Sequence, residues 1–321
     1  MIILFAALVL DRIIGDPTRL WQKIPHPVAL FGSLIDAFDN RFNRNDEDRA
    51  VRRRNGIAAI VTLIAFSLAV GAFLNSLFQA MGFSGMVLEA IIVSVFLAQK
   101  SLAEYVGAVA RALRIGLPEG RKAVAHIVGR DPQKLDTSGV ARAAIESLAE
   151  NFSDGVVAPA FWYGVFGLPG LLAYKLINTA DSMIGHKNSR HEDFGFAAAR
   201  FDDLVNWPAA RLSALLIATA AAFAGSIADM RNALDTAFRD AGLHRSPNAG
   251  WPEAAMAASL GIVLAGPRSY DGRVAAESYV NAEGRTDANA SDIDRALVVY
   301  MCSCTVLTGM VVVAFVLLST C

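Results

Sequence analysis

Three apolar stretches without a single charged side chain, Gly56 to Leu88, Leu212 to Ala228 and Ala296 to Thr320, limit what this chain can become more than any other feature. Each is about as long as, or longer than, the roughly 20 residues a helix needs to cross the hydrocarbon core of a bilayer. Composition agrees: 54% of the 321 residues are hydrophobic and 18% charged, with a mean hydropathy of +0.41. That is more apolar than a soluble domain of this length normally is. The plain alternative is a set of buried helices in a large soluble core; a membrane is the preferred reading.

The N-terminal MIILFAALVL lacks a basic leader region and a small-residue cleavage site, and Asp11 and Arg12 interrupt it. It reads as a retained short helix rather than a signal peptide. Cys302, Cys304 and Cys321 all lie in or after the last apolar run, too few and too local for a disulfide framework or a zinc cage, so they read as packing residues. A net charge of −1 gives no hint of a nucleic-acid partner.

Apolar runs in order predict a short helix at 1–15, spans at 56–75 and 86–98, a Gly/Pro-interrupted stretch at 155–177, a span at 205–228, a short apolar piece at 253–265 and a final span at 296–319. The fold class expected is all-α: a polytopic integral membrane protein with about five spans, broken or re-entrant helices and amphipathic cytoplasmic helices, in one membrane-embedded domain over 1–321. Arg41, Arg44, Arg49, Arg52, Arg53 and Arg54 precede the second helix, whereas 76–85 has no Lys or Arg, so the first side is cytoplasmic and the second outside. The stretch 99–154 then falls inside. It has helical periodicity, Leu102, Val106, Val109 and Leu113 sharing one face and Val140, Ile145, Leu148 and Phe152 another. Pro159, Gly164, Gly167, Pro169 and Gly170 would break an ordinary span at 155–177. The segment either crosses fully or re-enters and returns; the re-entrant reading is preferred, and it keeps NTADSMIGHKNSRHEDFG (178–195) cytoplasmic.

Polar residues gather in four places. GDPTRLWQKIPHPVALFG (15–32) holds Asp16 and His26 on a proline-stiffened loop, a rigid turn or a ligand seat. ARAAIESLAENFSDG (141–155) puts Arg142, Glu146, Glu150 and Asp154 at i, i+4 spacing, a solvated ion-paired face or oxygen ligands for magnesium with help from Asn151 and Ser153. Lys175, the 178–195 stretch and ARFDDLVN (199–206) form the densest group. Its Lys175, Lys187, Arg190 and Arg200 suit phosphate or carboxylate, and its Asp181, Asp202 and Asp203 suit a metal or an amine. His186 and His191 lack the i, i+4 spacing of a helical zinc pair. The fourth, HRSPNAGWPEAAMAASLGIVLAGPRSYDGR (244–273), is turn-rich, a structured connector or a set of contacts from Arg245, Ser246, Asn248, Arg268 and Tyr270. P-loop, nucleophile-elbow and zincin motifs are missing from the chain.

GDPTRL with PHPVALFG, then ESLAENFSDGVVAPAFWY, AYKLINTADSMIGHKN, ARFDDLVNWPAARLSALL and HRSPNAGWPEAAMAASLGIVLAGPRSY, in that order, resemble the CobD/CbiB family of cobalamin biosynthesis, the adenosylcobinamide-phosphate synthases. The likeness covers about residues 10 to 275. It implies a membrane enzyme that joins the free propionate of adenosylcobyric acid to (R)-1-amino-2-propanol or its O-phosphate in an ATP- and magnesium-dependent amide synthesis, with the corrinoid as substrate rather than prosthetic group. A carboxylate is a poor electrophile, so conversion to an acyl phosphate would supply a leaving group. The bilayer and the enzyme that supplies aminopropanol phosphate are the other partners implied.

The family's motifs fall here on Asp16, Pro17, His26 and Pro27, on Glu146, Glu150, Asn151, Ser153 and Asp154, and on Lys175, Asn178, Asp181 and Ser182. They fall also on Arg200, Asp202, Asp203, Ser246, Pro247, Asn248, Gly250, Trp251 and Pro252. Where the family often carries Tyr, this chain has His186 and His191, which speaks against an essential histidine–metal role. Asp181, Asp202, Asp203 and Lys175 are accordingly expected to be catalytic, and Glu146, Glu150 and Asp154 to bind magnesium. Asp16, His26, Asn151, Asn178, Ser182, Arg190, Arg200, Arg245, Ser246, Asn248, Trp251, Arg268 and Tyr270 are expected to contact substrates. Two rival classes remain from the residues themselves. A transporter would use discontinuous helices as its site, and an intramembrane prenyltransferase would use paired Asp motifs, although Gly185 stands where its second Asp belongs.

Overall fold

In a computed structural model, residues 1–17, 21–44, 46–128, 132–186, 188–266, 268–270, 273–275 and 278–320 are described, those at 268–270 and 273–275 by backbone alone. The protein is all-α and polytopic: among the described residues five helices are long and apolar enough to cross a membrane, Arg49–Ala80, Phe83–Ile115, Thr137–Ile184, Phe196–Ala224 and Ala290–Thr320. The described strands are short antiparallel ribbons, Leu264–Ala265 with Tyr279–Val280 and Arg268–Tyr270 with Arg273–Ala275. The chain divides into two compact units, each built from two separate segments: residues 1–97 with 158–206, and 98–157 with 207–321.

The first unit contains α1 (Ile2–Ile13), α2 (Pro27–Phe42), α3 (Arg49–Ala80), α4 (Phe83–Val95) and α8 (Ala158–Ile184), and the start of α9 (Phe196–Ala224). Ile35, Ile60, Leu63, Leu176, Ala180, Ile184 and Phe194 form its core. Helix α3 comes to backbone distance of α8 at Gly71 and of the 185–195 stretch at Gly56. A Cβ built on Gly71 would be 2.8 Å from the nitrogen of Pro169, and one on Gly56 2.8 Å from the carbonyl carbon of Phe194. Small residues let helices approach this closely in lipid, where there is no hydrophobic drive to bring them together.

The Gly/Pro-rich stretch is continuous helix on either side of one break, Gly167, at φ 63° and ψ −152°. Positive φ there costs glycine no steric strain. Residues eight apart in a straight helix are roughly 12 Å apart, yet a Cβ on Gly170 would be 2.6 Å from the Trp162 carbonyl oxygen and 2.7 Å from Phe166 Cβ. The chain therefore turns sharply at Gly167, within the stretch where clustered Gly and Pro predict a break.

The second unit contains α5 (Gln99–Ile115), α6 (Leu117–Val124), α7 (Thr137–Phe152), the remainder of α9, α10 (Ile227–Asp240), α11 (Gly250–Leu260) and α12 (Ala290–Thr320). Leu102, Val106, Val109 and Leu113 are all buried, as their periodicity predicts. Helix α7 departs from the amphipathic surface helix expected within 99–154. It is buried nearly all round, from Gly139 to Ala149 with only Arg142 part exposed, and it is the centre of this unit. Small residues at 139, 141, 143, 144, 147 and 149 are what allow neighbours on every side. A π turn, Ser153–Val157, follows it; such insertions recur at functional positions.

Candidate active site

Two of the four sequence clusters fold into the first unit. Helix α8 carries Lys175, Asn178, Asp181 and Ser182, which three- and four-residue spacing sets on one side. Asn178 Nδ2 donates to Asp202 Oδ1 across to α9 at 3.3 Å, and Tyr174 Oη donates to Asn206 Oδ1 at 2.9 Å one turn away. Asp202 also receives a hydrogen bond from Asn206 and lies in the electrostatic field of both Asp181 and Asp203. Three carboxylates are thus gathered at the start of α9, with Arg200 Nη1 3.8 Å from Asp203. In a half-buried setting like charges this close repel, and a cation among them relieves the repulsion.

His26 closes the same side of the unit. Its Nδ1 accepts from the N–H of Val28 at 3.1 Å, capping α2 just before Pro27, and its Nε2 is 3.8 Å from Asp16. Trp21 packs edge-on against the imidazole and donates its indole N–H to Asp16. Burial lowers the His26 pKa below its usual value, opposed by Asp16 and reinforced by Lys175. The imidazole is therefore neutral at neutral pH, its Nδ1 lone pair held by the Val28 N–H and its proton on Nε2, toward Asp16.

The 185–195 stretch is held by side chains whose role no local pattern announces. Asp39, 6% exposed, accepts from Arg190 Nη2 at 2.6 Å and Nε at 3.0 Å, from Asn43 at 2.7 Å, and lies 3.4 Å from His191. Asn43 donates to the Arg190 carbonyl at 2.9 Å, and Arg52 donates to that carbonyl and to Ser189's. Arg49 binds Asp193 at 3.0 Å. Arg190, expected to meet substrate, thus has its guanidinium fork on Asp39, and His191 packs beside it. Lys187 lies outside the described residues.

Burial alone would raise the Asp39 pKa, but hydrogen bonds from Asn43, Arg190 and His191 and the Arg190 charge outweigh it and hold the carboxyl below its ordinary value. Its stabilisation is complete above about pH 4 and is lost as pH falls through the lower folded value. Asp39→Asn is expected to cost on the order of 2 kcal/mol near neutral pH. Thermal unfolding in detergent would show the gap from wild type closing as the medium is acidified below the ordinary carboxylate range.

The other two clusters belong to the second unit. Glu146 is not on a solvated stripe with Glu150 and Asp154: it is 5% exposed and its Oε1 accepts the N–H of Ala265 at 2.8 Å. That residue sits at φ 56°, unusual for alanine. Glu150 and Asn151 are exposed, Asp154 half-buried, and Asn151 donates to the Ser147 carbonyl at 2.9 Å. Among the described residues no group of three or more His, Cys, Asp or Glu could hold a metal. The three-carboxylate magnesium site expected of Glu146, Glu150 and Asp154 is therefore corrected, because burial turns the first of them inward.

At HRSPN, His244 Nδ1 accepts from Ser246 N at 3.0 Å, and its Nε2 is 3.7 Å from the buried Glu253. Ser246 Oγ accepts from Ala249 N at 3.2 Å, and Arg245 is exposed. Arg211, absent from the sequence-derived set, donates to Asn248 Oδ1 at 2.8 Å and lies 4.7 and 4.6 Å from the ring centres of Trp207 and Trp251. The WPAAR spacing, with Trp one helical turn before Arg, is the signal that could have found it. The side chains of Arg268 and Tyr270 lie outside the described residues.

The sequence profile of the family described as CobD/Cbib protein matches residues 4–300. A relative from Sinorhizobium sp, called cobalamin biosynthesis protein CobD, is 55% identical over 97% of this chain and 97% of its own length. Proteins of the same name from Rhizobium meliloti (54% identical; 96% of this chain, 94% of theirs) and Rhodobacter capsulatus (45%; 96% of each) are similar along their whole length. No solved structure matches. A match of this extent decides between the three classes that the residues left open: the chain belongs to the CobD/CbiB family of cobalamin biosynthesis.

Proposed function

We propose that the protein is an adenosylcobinamide-phosphate synthase of the inner (cytoplasmic) membrane. It forms the amide between adenosylcobyric acid and (R)-1-amino-2-propanol or its O-phosphate, with ATP activating the carboxylate at the cytoplasmic face. The observation that carries this reading is the full-length family match together with the Asn178–Asp202 contact that draws Asp181, Asp202 and Asp203 to one place.

The reaction makes a C–N bond at an activated carboxyl, breaks the bond to its leaving group and removes a proton from the attacking nitrogen. The Asp181, Asp202 and Asp203 carboxylates attract and orient the amine as its ammonium. An ammonium gives up two protons on becoming an amide nitrogen: one passes to a carboxylate of this group before attack, and the second leaves the nitrogen as the bond to the leaving group breaks. Lys175 and Arg200 offer positive charge to phosphate oxygens. Magnesium commonly binds through one or two carboxylates plus substrate phosphates and water rather than in an all-protein cage. Asp181 and Asp202 fit that donor set, and the ion would neutralise nucleotide phosphate charge. Glu146 is removed from this role and Arg190 supports the loop that holds the α8 terminus. Ser246, Asn248 and Trp251, with Arg211, form a separate polar group within the second unit, and Arg245 is exposed next to Ser246. The enzyme that makes aminopropanol phosphate is the proposed partner for channelling.

Reconstituted protein given adenosylcobyric acid, either amine and ATP is expected to yield a product detected by mass spectrometry at the mass of the amide. Product without ATP would overturn the activation step, and no product with either amine would overturn the synthase reading.

A further inference from the structure

In the second unit, α9 turns one stripe outward. Trp207, Arg211, Leu215, Thr219 and Phe223 recur every fourth residue, which sets them on one side of the helix. Trp207, Leu215 and Phe223 are exposed and Arg211 and Thr219 half-buried, whereas positions 213, 214, 216, 217, 218 and 220 are buried. Because α9 is a candidate membrane span, this exposed stripe faces lipid. Arg211 is the last charge on it, with none from Leu212 to Ala224. A cation at the head of an apolar lipid-facing stripe belongs at the level of the phosphates.

Arg211 is fixed in place. Its Nη1 donates to Asn248 Oδ1 at 2.8 Å and to the Trp207 carbonyl at 3.1 Å. Its guanidinium carbon lies 4.7 and 4.6 Å from the ring centres of Trp207 and Trp251, and the exposed Phe238 meets Trp251 edge-on. Among the described residues no carboxylate pairs with Arg211, and its Nε and Nη2 have no acceptor. Those in-plane donors match two oxygens of one phosphate. Glu253, two residues from Trp251, is buried against His244. The ammonium of a zwitterionic headgroup thus gains no counter-charge from it, which favours a headgroup that is negative overall. Phe223 is roughly 18 Å along the axis from Arg211, close to one leaflet of hydrocarbon at about 15 Å. An acyl chain descending from a phosphate on Arg211 would run along Leu215 to Phe223. None of these residues takes part in the amide chemistry proposed above.

We propose that Arg211, framed by Trp207 and Trp251, binds the phosphodiester of an anionic phospholipid whose acyl chain lies along the outward stripe of α9. Purified full-length protein in detergent would be titrated with phosphatidylglycerol while its unfolding temperature is followed, with phosphatidylcholine as the zwitterionic control. Sodium glycerol 1-phosphate, a phosphate ester without acyl chains, forms a third arm. Phosphatidylglycerol is expected to raise the unfolding temperature at lower concentration than phosphatidylcholine, and glycerol 1-phosphate to leave it unchanged. Arg211→Gln is expected to weaken the phosphatidylglycerol response roughly ten- to hundred-fold. Arg231→Gln, which removes another exposed arginine of the same unit, is expected to preserve it. Should Arg211→Gln fail to fold, Arg211→Lys carries the test, since it keeps the charge and loses the fork, with an expected loss of roughly tenfold. Equal responses to the two lipids, a response to glycerol 1-phosphate, or a loss as large in Arg231→Gln as in the Arg211 variant would overturn the proposal.

Discussion

Asp202→Asn is expected to lower synthase turnover by roughly a hundred- to a thousandfold while leaving the protein folded. The substitution keeps the size of the side chain and its place between Asn178 and Asn206. It removes the charge at the centre of the carboxylate group, and with it the attraction for the ammonium or the magnesium. Because Asp181 and Asp203 repel that charge, stability is expected to hold or rise slightly. Initial rates in proteoliposomes, read beside the unfolding temperature, separate the two effects. A folded variant with more than about half the wild-type rate would remove Asp202 from the reaction, since a lost general base or electrostatic contact normally costs far more.

The largest structural effect is expected from Gly56→Ala. The added Cβ would fall within contact distance of the Phe194 carbonyl oxygen, 2.8 Å from its carbon and 3.0 Å from its Cα. All three are backbone atoms, so no rotamer change relieves the overlap. Helix α3 must move off the 185–195 stretch, and Arg52, one turn earlier, then loses the carbonyls of Ser189 and Arg190. A cost of roughly 3 kcal/mol or more is expected, with activity falling because the end of α8 that bears Asp181 is no longer braced. Gly309→Ala, whose Cβ would meet nothing within 4 Å, is the matched control and should be neutral in the same unfolding measurement. Equal stability of the two variants would show that the close approach at Gly56 is not needed.

The turn at Gly167 shows how far local signals carry. Clustered Gly and Pro predict a break somewhere in 155–177, and a break occurs, but its residue and sense come from Trp162, Phe166 and Gly170 meeting across it. Glu146 shows the limit: i, i+4 spacing is real on α7, yet the same spacing serves a solvated face or a buried one. Arg190 and His191 were conspicuous for their charge, whereas Asp39, Asn43 and Arg52, which hold that stretch in place, come from other helices some 137 to 152 residues away in the chain. Arg211 acquires its meaning only when α11 brings up Trp251.

By itself the sequence determined the membrane class, the number of long apolar helices, the buried face of α5, and the family, because uncharged length, helical period and ordered motif strings are all properties of neighbouring residues. Tertiary structure alone decided which polar groups face one another: Asn178 with Asp202, Asp39 with Arg190, Glu146 with the Ala265 N–H, Glu89 with Tyr163. The physical reason is that a carboxylate's role depends on whether a distant helix covers it, and on which donor that helix brings.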